Sequence, residues 1–145
     1  IGDGSAREKL VSVIKKHNIK NVKIVKPMNR KLLLDYYRKS DILFLHLDNI
    51  PAFMRVLPSK LFEYAAMGKP IVAGFQGYSR AFSKAHIPYS FIFEPGNVEE
   101  CIGKIIESTD AIVHKKEVDS FTENFSRKRL MNSFASDILK TIAIK

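Results

Sequence analysis

Apolar residues recur along this chain in two rhythms: short aliphatic or β-branched runs, and longer stretches at helical spacing. Gly2-Asp3-Gly4-Ser5 is turn-forming, and Ala6 to Asn18 follow with Leu10, Val13 and Ile14 on one helical face. Val22 to Lys26 predict a short strand, closed by the breaker Pro27. Arg30 to Lys39 predict a helix, and Ile42 to Leu45 a buried strand. A helix over Pro58 to Met67 is stopped by Gly68, and Pro70 to Ala73 form the next strand. Phe91 to Phe93 make a last strand that ends at Pro95-Gly96. Asn97, with Glu100 three residues on, resembles a capping box and starts a helix to about Ser108. Ser126 caps a final helix from Arg127 to about Ile142, whose Leu130, Phe134, Ile138 and Leu139 are expected to face inward.

Strands alternating with helices at this spacing predict an α/β, Rossmann-like fold, a parallel sheet with helices on both faces. No repeat, low-complexity segment or internal boundary interrupts residues 1–145, which read as one domain. Ile1 to Gly4 resemble the end of a strand, so the protein is expected to continue upstream. In open sheets of this kind ligands bind beyond the carboxyl ends of the strands. The segments in that position are Gly2 to Ser5, Pro27 to Arg30, Leu47 to Leu57 and Gly74 to Arg80.

Composition narrows the class. With 145 residues, 46% hydrophobic and 27% charged, the chain has an ordinary globular balance and enough length for one core. No apolar run approaches the roughly 18 residues that cross a bilayer. The single cysteine, Cys101, has no internal partner and fits a reducing compartment. His17, His46, His86 and His114 are scattered without metal-site spacing. A net charge of +9 favours anionic partners such as nucleotides, acidic head groups or nucleic acid. Its densest clusters, Lys15-Lys16, Lys115-Lys116 and Arg127-Lys128-Arg129, fall on helix faces and read as solvated surface. No basic-aromatic motif accompanies them, which argues against a nucleic-acid partner.

The informative stretch runs Leu57-Pro58-Ser59-Lys60-Leu61-Phe62-Glu63-Tyr64-Ala65-Ala66-Met67-Gly68-Lys69-Pro70. Pro58 suits the first helical position, where its missing N–H costs nothing. The amides of Ser59 and Lys60 are then free at a helix end that attracts phosphate through those amides and the helix dipole. Ser59 lies about 40° and Lys60 about 60° around the axis from Glu63. The other positions are apolar or nearly so, leaving one polar spot near the N-terminus, the mark of a ligand pocket. Glu63 sits about 4.5 Å along the axis from Lys60, so its carboxylate is placed to accept from ribose hydroxyls while the helix end holds a diphosphate. An i,i+3 surface pair of Lys60 with Glu63 fits the same spacing equally well.

The segment resembles the donor-binding signature of the family 4 glycosyltransferases of GT-B fold, especially bacterial members that build surface polysaccharides. The shared string is Pro-Ser-Lys, a hydrophobic pair, Glu-Tyr, small residues, then Gly-Lys-Pro-Ile-Val. Looser similarity covers Ile1-Gly2-Asp3-Gly4, Asn21 to Ile24, Ser40 to Leu43 and Phe121 to Leu130. The resemblance implies that Glu63 binds the donor ribose, that Leu57, Pro58, Ser59 and Lys60 hold the diphosphate, and that Pro27, Met28, Asn29 and Arg30 frame the base. The first glutamate of the family's Glu-x7-Glu motif falls on Arg55, which departs from the pattern and is a candidate phosphate contact instead. The family's basic phosphate clamp lies upstream of the Gly-Asp-Gly turn and is not among these residues, nor is the acceptor domain.

The implied activity is retaining transfer of a hexose or N-acetylhexosamine from a nucleoside-diphosphate sugar, a UDP-sugar in first place, to a glycan. The setting implied is bacterial O-antigen, lipopolysaccharide or capsule synthesis. No cofactor or metal is implied, the UDP-sugar being a co-substrate. A glycan or lipid-linked glycan acceptor would bind through the upstream domain. The implied location is cytoplasmic, with peripheral association at an anionic membrane. These residues alone are expected to bind donor without catalysing transfer. Competing readings are half of a UDP-sugar epimerase, a basic nucleic-acid-binding module, and a non-catalytic scaffold. Gly2 to Ser5, Asp41, Asp48, Tyr36, Tyr37 and Tyr64 read more simply as turn, cap or core residues than as chemistry.

Overall fold

Arg7 to Lys16 form helix α1 and Arg30 to Lys39 form α2, both where the apolar spacing predicts them. The computed structural model describes residues 1–143 and divides into two compact units, Ile1–Tyr36 and a second that begins at Tyr37. In the first unit the Arg7 amide donates to the Gly4 carbonyl (2.9 Å), and the Asp3 carboxylate lies 3.5 Å from the Arg7 guanidinium. α1 ends through Asn18, whose positive φ of 51° turns the chain away. The strand expected over Val22 to Lys26 does not form: Val22 to Asn29 have no regular structure. A strand exists only through a partner ladder. Here the one backbone bond between Val22–Lys26 and the Ile1–Gly4 segment is the Gly2 amide to the Val25 carbonyl, 3.1 Å.

In the second unit β1 (Leu43–His46), β2 (Ile71–Gly74) and β3 (Ser90–Phe93) make a parallel sheet in the order β1-β2-β3. Leu43, Ile71 and Ser90 stand in register at one end, and His46, Gly74 and Phe93 at the other. Parallel neighbours require crossovers. A 3₁₀ turn (Pro51–Arg55) and helix α3 (Ser59–Met67) join β1 to β2, and helix α4 (Gly77–His86) joins β2 to β3. All four residues of β2 are buried, as befits a central strand covered on both faces. β1 alternates buried Leu43 and Leu45 with exposed Phe44 and His46.

α4 corrects the expected loop over Gly74 to Arg80. Its Tyr78, Ala81, Phe82 and Ala85 recur at helical spacing, and Ser79, Phe82 and Ser83 are buried along it. Its first residue, Gly77, has φ +57°, a conformation in which glycine alone is unstrained.

Helices α5 (Val98–Thr109), α6 (Lys115–Phe125) and α7 (Arg127–Ala143) complete the described chain. α5 packs on β2 and β3. Its cap is as expected at Asn97, whose side chain accepts from the Glu100 amide (3.0 Å). The Glu100 carboxylate turns instead to the amide of Glu94 (2.8 Å), so only half of a capping box forms. α6 lies where no helix was read from the pattern. Its Phe121 and Phe125 join Phe62 of α3 and Phe82 of α4 in one aromatic cluster, with ring centroids 4.8–6.0 Å apart.

α7 has the cap predicted for it, Ser126 Oγ accepting from the Arg129 amide (3.3 Å). Its orientation differs from the expectation. Leu130, Phe134, Ile138 and Leu139 are exposed, and α7 has no buried residue among those described. Periodicity marks an apolar face but does not supply an element for that face to meet.

Candidate functional site

Beyond the carboxyl ends of the strands the following loops pack together. Leu47 and Asp48 after β1, Phe53 and Met54 of the 3₁₀ turn, Phe75 and Gln76 after β2, and Pro95 after β3 line a seam of about 10 Å³. That is roughly the space of one water molecule. The seam is too small to be a ligand chamber. His46 at the end of β1 stacks on Phe93 (5.9 Å between ring centroids), and its Nδ1 lies 4.0 Å from the Asp48 carboxylate.

The entry to α3 is held from beneath by α4. The Ser79 hydroxyl donates to the Val56 carbonyl, and Gly77 packs so closely on Met54 that a Cβ there would collide with the Met54 carbonyl. These two residues fix the Met54–Val56 backbone two residues before the helix cap. The Gly-Phe-Gln-Gly-Tyr-Ser run after β2 was the sequence signal for this clamp, but its partner segment is distant in sequence.

Pro58 is extended (φ −70°, ψ 133°) and is the N-cap rather than the first helical residue. The shift does not disturb the phosphate argument. The Leu61 amide donates to the Pro58 carbonyl (3.0 Å), while the amides of Ser59 and Lys60 precede any intrahelical acceptor. α3 ends at Gly68 in the left-handed region (φ 64°), as the sequence predicts.

One face of α3 is core: Leu61, Tyr64 and Ala65 are buried. The helix is not enclosed all round, as its composition led us to expect. Ser59 and Ala66 are exposed and Glu63 between them is half-buried. They recur at i, i+4 and i+7, one open strip along the helix. Lys60 is exposed beside that strip, and none of the ion pairs among the described residues involves it. Tyr64, the residue after Glu63, meets Tyr37 edge to face (5.0 Å, 84°). Its hydroxyl is pushed well above the ordinary phenol range, first by burial, then by Tyr37 and by the Glu63 carboxylate.

The structure therefore brings Ser59, Lys60 and Glu63 together at the start of one helix, with Leu57 and Pro58 half-buried at its entry. Arg55 is exposed at the end of the 3₁₀ turn. Pro27, Met28, Asn29 and Arg30 belong to the first unit. Met28 is half-buried and the other three are exposed. Asn29 also has a structural task, its side chain accepting from the Leu32 amide (3.0 Å) at the start of α2. Among the described residues, no three His, Cys, Asp or Glu side chains gather as a metal ligand set. No described helix is long and apolar enough to cross a membrane.

No curated protein and no solved structure matches the chain. A protein-family model does: that of the glycosyl transferases group 1, over residues 1–128, from the Gly-Asp-Gly turn through the sheet and α3 to the start of α7. With most of its length matched and a parallel α/β sheet in place, the chain belongs to the group 1 glycosyl transferases, enzymes of glycosyl transfer.

Proposed function

We propose that this chain is the donor-binding domain of its glycosyltransferase and takes a nucleoside-diphosphate sugar, a UDP-sugar, at the start of α3. One observation carries the reading: the open strip of α3 joins two helix-end amides, the Lys60 ammonium and the half-buried Glu63 carboxylate. A diphosphate meets the amides and Lys60, where the helix dipole and a charged donor act together. The ribose hydroxyls donate to Glu63, one turn further on. Leu57 and Pro58 shape the entry, and Arg55 adds a second cation toward the phosphates.

In this reading the reaction is retaining transfer of a hexose or N-acetylhexosamine to a surface-polysaccharide glycan. As the sugar–phosphate bond breaks, negative charge grows on the departing diphosphate. Preorganised amides and basic side chains stabilise that charge more than they stabilise the bound ground state. On this account charge balance comes from the protein rather than from a metal ion. The acceptor glycan binds outside these residues.

Titration calorimetry with UDP and UDP-sugars tests the assignment. UDP is expected to bind, and Glu63→Ala to weaken it by about 10- to 100-fold, the loss of charge-assisted hydrogen bonds worth about 1.5–3 kcal/mol. Absence of heat at millimolar UDP, with the chain shown folded by circular dichroism, would overturn the donor site. So would a Glu63→Ala variant that binds UDP as tightly as the parent.

A further inference from the structure

A donor seated on α3 runs in one direction along that helix. Its ribose lies at Glu63 and its phosphates at the Ser59 and Lys60 amides, about 4.5–6 Å nearer the helix start at 1.5 Å per residue. The sugar hangs from the phosphate further from the ribose, so it is carried past the helix end, away from Glu63. The chain that occupies that approach is Ile50 to Leu57, which enters α3 from the 3₁₀ turn. What it offers a sugar is an apolar surface. Ile50 and Met54 are 46% and 42% exposed, and Pro51 and Ala52 are exposed between them. No side chain from Ile50 to Met54 carries a hydroxyl, an amide or a charge. The backbone adds little: the amides of Ile50, Phe53 and Val56 donate to the Asp48, Ile50 and Phe53 carbonyls (2.8, 2.8 and 3.3 Å), and Pro51 has no N–H.

A sugar hydroxyl laid on this surface gives up water and finds no partner in return, which costs binding. A methyl group laid there is covered, which favours binding. The substituent nearest the diphosphate decides between the two, because C2 adjoins the anomeric carbon that bears the phosphate. We infer that Ile50 and Met54 select an acetamido group at C2, so that the donor is a UDP-N-acetylhexosamine rather than the plain UDP-hexose. The N-acetyl methyl rests on Ile50 and on the Met54 thioether, a polarisable chain that adapts to a small apolar group. The surface is held in place for this contact. Gly77 packs against the Met54 carbonyl, and the Ser79 hydroxyl donates to the Val56 carbonyl. Arg55, which closes the turn, serves the phosphates. The choice of sugar rests on the donor reading of α3 and adds to it the contact that discriminates between sugars.

Titration calorimetry of the 145-residue chain compares UDP-GlcNAc with UDP-glucose and UDP-GalNAc with UDP-galactose, with UDP as the reference. Each pair differs only at C2. At least one acetamido donor is expected to bind about 4- to 20-fold more tightly than its hydroxyl counterpart, the range for covering one methyl group where a hydroxyl would go unmatched. Met54→Gln, close in volume but polar, should erase that preference, and Met54→Leu should keep it. Ile50→Asn, a second variant at an exposed position, should lower it as well. Equal binding within both pairs by a chain that binds UDP overturns the sugar assignment and leaves the nucleotide site standing. So does a preference that survives unchanged in both Met54→Gln and Ile50→Asn. A folded chain that gives no heat with UDP removes the donor site itself, and the sugar assignment with it.

Discussion

Two glycines in this chain should respond in opposite directions to the same added methyl group. Gly77 starts α4 with φ +57°, and a Cβ there would run into the backbone carbonyl of Met54. Placing an L-residue in that left-handed conformation costs about 1–2 kcal/mol. Relieving the overlap requires moving the Met54 backbone, an overpacking cost of about 1–3 kcal/mol. The stiffer unfolded chain returns about 0.4–1 kcal/mol. Gly77→Ala is therefore expected to destabilise the fold by about 1–5 kcal/mol. Gly103 lies mid-way along α5, and a methyl group added there would have nothing within 4 Å of it. Glycine in a helix interior is worse than alanine by about 0.5–1 kcal/mol, so Gly103→Ala should stabilise by that amount. Urea unfolding followed by circular dichroism reads both, with the change expected in the midpoint and not in the slope. The pair has a functional side too. Gly77 holds the backbone that leads into α3, so Gly77→Ala should weaken UDP binding even where the chain remains folded, and Gly103→Ala should leave it unchanged. A Gly77→Ala variant within about 0.5 kcal/mol of the parent would refute the clamp, since surface-like substitutions fall in that range.

Two further substitutions probe the core. The buried Tyr89 hydroxyl donates to the Ala65 carbonyl of α3 (2.8 Å), and burial, with a smaller contribution from Glu117, raises its pKa from 10.0 to about 12. The folded state thus keeps a proton that the unfolded chain loses, and stability from this group should be intact below pH 10 and fall between pH 10 and 12. Tyr89→Phe should lose about 1 kcal/mol at neutral pH and show a shallower alkaline decline in urea midpoints. An equally steep decline would count against the assignment. Phe125 of α6 meets Phe62, Phe82, Phe121 and His86. Being only half-buried, it should cost about 2–3 kcal/mol as Phe125→Ala, below the range for fully buried phenylalanines; a calorimetric melt unchanged from the parent would show that the cluster does not hold α6 to α3 and α4.

Much of the architecture was legible in the residues. Local chemistry determined α2, the Gly68 stop, the Asn97 and Ser126 caps and the three strands of the sheet to within a residue. Each depends on a φ angle, a nearby side-chain acceptor or a short apolar run, all encoded within a few positions. The juxtaposition of Ser59, Lys60 and Glu63 was equally local, because helical geometry alone puts them on adjoining positions of one turn and a half. What tertiary structure decided were the features that need a distant partner. Val22 to Lys26 have strand-like side chains but lack the ladder that would make them a strand. α4 has helical spacing at Tyr78, Ala81, Phe82 and Ala85, but where it packs is decided by Gly77 and Ser79 against Met54 and Val56, more than twenty residues earlier. α7 has the apolar stripe of a core helix and turns it outward. A sequence records which faces are apolar; only the packed chain decides which of them find something to cover.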